Sequence, residues 1–144
     1  MKKKEKFIFL DHTADLKFQA FGKNLEEVFK NSALALTNVF SEDKIKAKIK
    51  ENINIHIGVA DYEKLLYSFL EEFLFLIDTK GLIISKIKKL KIKEKSGAYF
   101  IECEVSGDKV KKYEIKNHIK AVTYNEMFVK KQGKKYISQV VLDV

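Results

Sequence analysis

The sequence predicts an α+β fold: two helices packed on one largely antiparallel sheet, in a single domain of residues 1–144. Two observations carry this. Apolar residues recur at helical spacing in two stretches of the first half. The second half alternates apolar and polar residues in runs broken by glycine-containing turns. A chain of 144 residues fits one domain and hides roughly two thirds of its unfolded surface on folding. Its hydrophobic fraction of 46% is too high for a disordered chain.

The first element is extended. Leu16, Phe18 and Ala20 alternate with Lys17, Gln19 and Phe21, which suits a half-buried strand, and Gly22 ends it. Asn24 then offers a helix N-cap, with Glu27 three residues on as a capping box. Leu25, Val28, Phe29, Leu36, Val39 and Phe40 follow at helical spacing, so residues 25–40 read as an amphipathic helix. Ile49, Ile53, Ile55 and Ile57 share one parity and mark a strand, broken by Gly58. Asp61 caps a second helix near residues 62–78, whose broad apolar face from Leu65 to Ile77 makes it the expected central core helix. Strands are expected near 82–94, 98–106 and 110–116, with Ser96-Gly97 and Gly107-Asp108 as turns between them. A last pair, near 126–131 and 135–142, is joined around Gln132-Gly133.

Composition narrows the function. No apolar run approaches the ~18 residues of a membrane span. The charged start Met1-Lys2-Lys3-Lys4-Glu5-Lys6 leads into no signal-peptide apolar region, since Phe7-Ile8-Phe9-Leu10 runs straight into Asp11. A cytoplasmic protein is expected. The single cysteine, Cys103, excludes an internal disulfide and falls on the apolar phase of its run, as a small buried hydrophobe does. The net charge is +8, and every basic residue is lysine. Such a surface favours polyanions, but without arginine it lacks the bidentate donor that usually reads base edges.

His12, His56 and His118 have neither H-E-x-x-H nor Cys/His zinc spacing, and glycine-rich nucleotide loops and nucleophile elbows are absent. Asp61, Glu63, Glu71 and Glu72 suit helix capping or an exposed helix face. His56 falls on the polar face of its strand, where water satisfies it. Lys86, Lys88, Lys89, Lys91 and Lys93 make a basic strand able to meet phosphates, yet too poor in aromatics for base stacking.

Three segments remain. Asp11-His12-Thr13-Ala14-Asp15 is the densest cluster of ionisable residues, just before a strand. Carboxylates four apart in extended chain lie on one side; the plainer reading is a turn in which they bond local backbone. The C-terminal Val140-Val141-Leu142-Asp143-Val144 is an apolar strand ending in Asp-Val. Asp143 and the α-carboxylate of Val144 repel unless a cation neutralises them, and joined to Asp15 they form an all-oxygen set suited to Ca²⁺ or Mg²⁺. The plainer reading is a frayed terminus in water. The third segment, His118-Ile119-Lys120-Ala121-Val122-Thr123-Tyr124, sets His, Lys, Thr and Tyr between two expected strands; an ordinary polar strand edge would also account for it.

Together these segments resemble the archease family. Asp11-His12-Thr13-Ala14-Asp15, a strand, a glycine and the Leu25-Glu26-Glu27 helix start are similar to its opening. Lys120-Ala121-Val122-Thr123-Tyr124 is similar to its second signature, and Val141-Leu142-Asp143-Val144 to its ending. Leu65-Leu66 and Phe69-Leu70-Glu71-Glu72-Phe73 fit its middle, so the resemblance covers nearly the whole chain in order. It implies an accessory protein, not an enzyme, that activates a GTP-dependent, RtcB-type RNA ligase in tRNA splicing by promoting guanylylation and repeated turnover. It implies a bound divalent cation, Ca²⁺ first with Mg²⁺ or Mn²⁺ as alternatives. The implied ligands are Asp15, Asp143 and the main-chain carboxylate of Val144. Asp11 and His12 would be neighbours, and Lys120, Thr123 and Tyr124 supporting or ligase-contact residues. The +8 charge keeps open direct tRNA binding, and a second role as a chaperone-like or RNA-binding modulator of a tRNA-modifying methyltransferase. A metal-dependent hydrolase on the Asp cluster is the third reading, with His12 as the local candidate base.

Overall fold

The computed structural model describes residues 5–10, 15–58 and 61–144. Strands β1 (Phe7–Leu10) and β2 (Leu16–Gly22) precede helix α1 (Leu25–Phe40). Strand β3 (Ile49–Ile57) and helix α2 (Tyr62–Lys80) follow. The chain then runs through β4 (Leu82–Lys95), β5 (Ala98–Lys109), β6 (Ala121–Gln132) and β7 (Lys135–Asp143). The α+β class holds, and the described strands divide between two antiparallel sheets, ordered β1-β2-β7-β6 and β3-β5-β4.

Both helices form as their caps dictate. Asn24 Oδ1 accepts the Glu27 N–H at 2.8 Å, while Glu27 Oε1 accepts the Lys23 N–H at 3.3 Å, one residue before the position a strict capping box uses. Asp61 Oδ1 accepts the Lys64 N–H at 2.8 Å. Gly81 ends α2 in the left-handed region at φ 62°, where its N–H reaches the carbonyl of Ile77 at 3.1 Å.

The more enclosed helix is α1, not α2. Ten of its residues are buried, including Asn31, Ser32 and Thr37, against eight in the longer α2, whose Phe75 is 46% exposed. Small side chains explain this. Ala33, Ala35 and Ser32 let α1 lie close to β2, β4 and β7, and Ser32 Oγ meets Ser138 Oγ of β7 at 2.7 Å. Counting large apolar side chains favours α2 and overlooks a helix buried through smallness.

Three expectations for the strands change. Phe7–Leu10 is a strand, paired with Leu16–Gly22 by Phe7 opposite Ala20. Gly107 and Asp108 lie inside β5 rather than in a turn. The expected strand at 110–116 is a 3-10 turn, Val110–Lys112, followed by irregular chain. That segment bonds to other partners: Glu114 N–H to Asp43 Oδ2 at 2.8 Å and Lys116 N–H to the Phe40 carbonyl at 2.8 Å. Its polar groups are satisfied by the end of α1 and the loop after it, so no ladder forms.

Asp108 anchors this corner. It is 2% exposed and accepts the Tyr113 hydroxyl at 2.7 Å and the Lys109 N–H at 2.8 Å, with the Lys112 ammonium at 3.7 Å. The Tyr113 hydrogen bond, then the Lys109 N–H, hold its carboxyl below the usual carboxylate range against the opposing effect of burial. A lowered folded pKa means the unfolded chain takes up the proton first. Stability from Asp108 is therefore present above its unfolded pKa, near ~3.9, and is lost as pH falls through the folded value. Melting curves from pH 7 to pH 2 should show Asp108→Asn less stable than wild type at neutral pH. The gap should close below about pH 4.

Candidate functional site

Sheet pairing brings the two ends of the sequence together. Val140, Val141 and Leu142 are fully buried, so β7 is a central strand, and the chain leaves the core at the half-buried Asp143. Leu16 of β2 lies opposite Leu142 in antiparallel register. The next residues outward, Asp15 and Asp143, therefore emerge side by side at one end of the sheet. On the other flank Ala121 of β6 pairs with Asp143, and the Lys120 N–H donates to the Asp143 carbonyl at 2.7 Å. Val144 follows, half-buried and packed against the core. Residues 128 sequence positions apart thus share one edge because both strands are central and their register leaves no slack.

The third segment, expected between two strands, instead opens β6, which begins at Ala121 and not near 126, and it is split by this arrangement. Residues 121–123 pair with 141–143, after which the β6–β7 register shifts between Thr123 and Phe128. Thr123 Oγ1 donates to the Val141 carbonyl at 2.8 Å, so its hydroxyl is spent on holding the two strands. The Tyr124 ring stacks on Tyr67 of α2, with centroids 4.2 Å apart and planes 8° from parallel. Burial, then the charges of Tyr67, Glu71 and Asp61, raise the Tyr124 phenol above its ordinary range, which keeps it protonated and neutral. Lys120 is exposed and its ammonium forms no ion pair among the described residues. Asp11 and His12 lie outside the described residues.

Sequence reasoning missed the support behind this edge. Gln139, 8% exposed on β7, accepts from Gln19 Nε2 at 2.9 Å and donates to the Glu126 carbonyl at 2.8 Å. Glu126 adopts φ 52° in the shifted stretch of β6, and its carboxylate meets the Lys17 ammonium at 3.5 Å. Gln19, Gln139 and Glu126 therefore clamp β2, β7 and β6 at the irregularity. No local pattern announces them, because each amide's partner lies on another strand.

The donor chemistry at the edge is all oxygen. Among the described residues no three His, Cys, Asp or Glu side chains form a group able to hold a metal ion. Asp15 and Asp143 supply two carboxylates, and a hard cation would draw further donors from the Val144 main chain or from water. That set suits Ca²⁺, Mg²⁺ or Mn²⁺ and excludes a thiolate site. Cys103 is buried and its thiol is pushed up to about 12 by that burial, leaving it an inert core residue. His56 stacks on Phe100 at 4.4 Å, and His118 meets the Phe40 ring edge-on at 6.0 Å. The basic strand β4 is partly neutralised by its neighbour: Lys89 faces Glu104 at 3.4 Å and Lys93 faces Glu102 at 3.6 Å. No helix among the described residues is long and apolar enough to cross a membrane.

Residues 7–144 match the model of the "Archease protein family (MTH1598/TM1083)". A protein archease of Methanosarcina barkeri is 37% identical over 142 residues, covering 97% of each chain. One from Pyrococcus furiosus is 38% identical over 138 residues, covering 93% of this chain and 95% of its own. The solution structure of Methanobacterium thermoautotrophicum protein 1598 superposes with a TM-score of 0.83 at 35% identity, covering 96% of this chain and 99% of that one. The crystal structure of a Thermotoga maritima archease, described as a possible chaperone, has a TM-score of 0.57 at 19% identity and shares the fold. With the family model spanning nearly all of the sequence and relatives above one-third identity across it, the chain belongs to the archease family.

Proposed function

We propose that the chain is a metal-binding accessory protein that activates an RtcB-type RNA ligase, promoting its guanylylation and repeated turnover in tRNA splicing. The observation that supports this is the meeting of Asp15, Asp143 and Lys120 at one sheet edge. Asp15, Asp143 and the main-chain carboxylate of Val144 would hold the cation, and Ca²⁺ suits their oxygen chemistry best. When bound, such a cation would supply positive charge able to attract phosphate oxygens. The chain's own part is orientation. Two central strands fix the Asp15 and Asp143 backbones, and the Lys120 N–H holds Asp143 in place. A rigid, pre-aligned edge offered to the ligase's nucleotide pocket lowers the cost of assembling the guanylylation geometry. Tyr124 on its Tyr67 platform, with Lys120 and the segment of Asp11 and His12, would form the surrounding contact surface.

The test is ligase guanylylation with GTP, alone and with wild-type or Asp143→Ala protein. Wild type should stimulate, and Asp143→Ala should melt as wild type does yet give at least a tenfold smaller stimulation. A folded Asp143→Ala that stimulates fully removes the acidic edge from the mechanism. If neither protein stimulates a competent ligase, the basic surface favours the second reading, an RNA-binding modulator of a tRNA-modifying methyltransferase.

A further inference from the structure

The sheet has a second pole. At the end of β2 away from Asp15, a groove of about 890 Å³ opens between the start of β1, the β2–α1 turn, α1 and the β6–β7 hairpin. Five lysines line it: Lys6, Lys23, Lys30, Lys134 and Lys135. Strand β2 spans seven residues, so this groove lies about 20 Å from the acidic edge.

The positive charge here exceeds the negative. None of the five ammonium groups forms an ion pair among the described residues, whereas Lys17, Lys80, Lys89, Lys93, Lys112 and Lys116 do; what sets the five apart is that they line one groove. Glu5 and Glu27 also line the groove, but Glu27 is engaged with the Lys23 N–H of the helix start. Three positive charges therefore remain in excess. The walls are rigid where the lysines attach. The Phe21 N–H donates to the Lys6 carbonyl at 2.9 Å, and Asn31 Nδ2 to the Phe21 carbonyl at 2.7 Å, tying β1, β2 and α1 together.

We propose that this groove binds the phosphate backbone of RNA. The lysines come from three separate chain segments and line an open channel, which suits a chain of phosphates rather than one small anion. The sequence has no arginine, and the half-buried Phe21 is the single aromatic among the described residues lining the groove, so contacts fall chiefly on phosphates and carry little base preference. An acidic protein partner fits less well. Protein interfaces are depleted in lysine and built on aromatic anchors, yet the exposed large hydrophobics, Phe9, Tyr62, Phe75 and Tyr124, all lie outside the groove. The choice of RNA among polyanions rests on the proposed role in RNA ligation. The molecule would then be bipolar, with the acidic edge on the ligase and the basic groove on its substrate.

The experiment measures anisotropy of a fluorescent 12-nucleotide RNA with full-length protein and no ligase, across a salt series. Wild type should bind with a steep salt dependence. The triple variant Lys23→Glu, Lys30→Glu, Lys135→Glu should bind at least tenfold more weakly, with its log–log salt slope reduced by about 2. The matched variant Lys86→Glu, Lys88→Glu, Lys91→Glu on β4 makes the same change in net charge and should stay within threefold of wild type. Equal losses in both variants, an unaffected groove variant, or no salt-sensitive binding by wild type would each overturn the proposal. So would a polyglutamate peptide of equal charge binding wild type as tightly as RNA, which assigns the groove to an acidic protein. Guanylylation of the ligase without RNA separates the two sites: the groove variant should stimulate it fully, and Asp143→Ala should bind RNA normally. A folded groove variant that loses stimulation makes the groove a ligase contact and also overturns the proposal. If the triple variant does not fold, Lys134→Glu with Lys135→Glu at the exposed hairpin replaces it, with a slope change of about 1.4 and Lys86→Glu with Lys88→Glu as its charge-matched control, the other criteria unchanged.

Discussion

Phe69→Ala is expected to cost about 3–5 kcal/mol, a large part of the stability of a domain this size. Phe69 is fully buried in the middle of α2, where the two helices face each other. Its ring lies 5.9 Å from Phe29 of α1 and 5.0 Å from Phe73, the latter edge-on. Removing it loses the transfer energy of the ring, both aromatic contacts, and the packing of the cavity walls. The neighbours are held by two sheets and a second helix, so the gap cannot easily collapse. Chemical denaturation should show the midpoint falling with an unchanged slope, and a melting temperature lower by roughly 10–15 °C. Phe69→Leu, which keeps most of the volume, should cost far less. Below its melting point Phe69→Ala should still stimulate a ligase, since it leaves Asp15 and Asp143 untouched. That contrast with Asp143→Ala distinguishes a fold defect from a site defect.

Gly107→Ala is expected to be nearly as damaging, for an unrelated reason. A Cβ at this position would run into the Ile83 carbonyl oxygen, with the Ile83 carbonyl carbon at 2.7 Å and the Ile84 Cα at 2.9 Å. These are backbone atoms of β4, paired to β5 at Ile84 opposite Gly107, and they cannot rotate away as a side chain does. Either β4 moves from its ladder or the sheet opens beside Asp108. Overpacking of a side chain typically costs 1–3 kcal/mol, and a clash with backbone should reach or exceed about 3 kcal/mol. Gly58, around which a Cβ meets nothing within 4 Å, is the control. Gly58→Ala should melt within a few degrees of wild type, while Gly107→Ala should expose its amides to rapid hydrogen exchange along β4 and β5.

Both predictions bear on what can be read from sequence. Helix α1 was legible to the residue, because the Asn24 cap and the apolar spacing are local signals that the structure uses as written, while Glu27 reaches Lys23 in place of Asn24. Strands β2 and β3 were equally legible from alternation, and β7 from its apolar run after the Gln132-Gly133 turn. Gly107 was not: it sits beside Asp108 in what looks like turn chemistry, yet its absent side chain makes room for Ile83 and Ile84 of the preceding strand. The 110–116 segment failed likewise. Its alternation is real, but its amides find Asp43 and Phe40 instead of a ladder.

The candidate site divides the same way. By itself the sequence determined the α+β class, the two helices and the family resemblance, since these rest on residue type and local spacing; Asp15, Asp143, Lys120, Thr123 and Tyr124 entered as candidates through that resemblance. Only the tertiary structure decided that Asp15 and Asp143 leave the sheet at one edge, that Thr123 is spent on the Val141 carbonyl, and that Tyr124 rests on Tyr67. It likewise gathered Lys6, Lys23, Lys30, Lys134 and Lys135 around one groove and set Lys89 and Lys93 of β4 against Glu104 and Glu102 of β5. The physical reason is common to all of these. Strand register and charge pairing are relations between segments far apart in the chain, and a one-dimensional pattern records each partner without recording the pair.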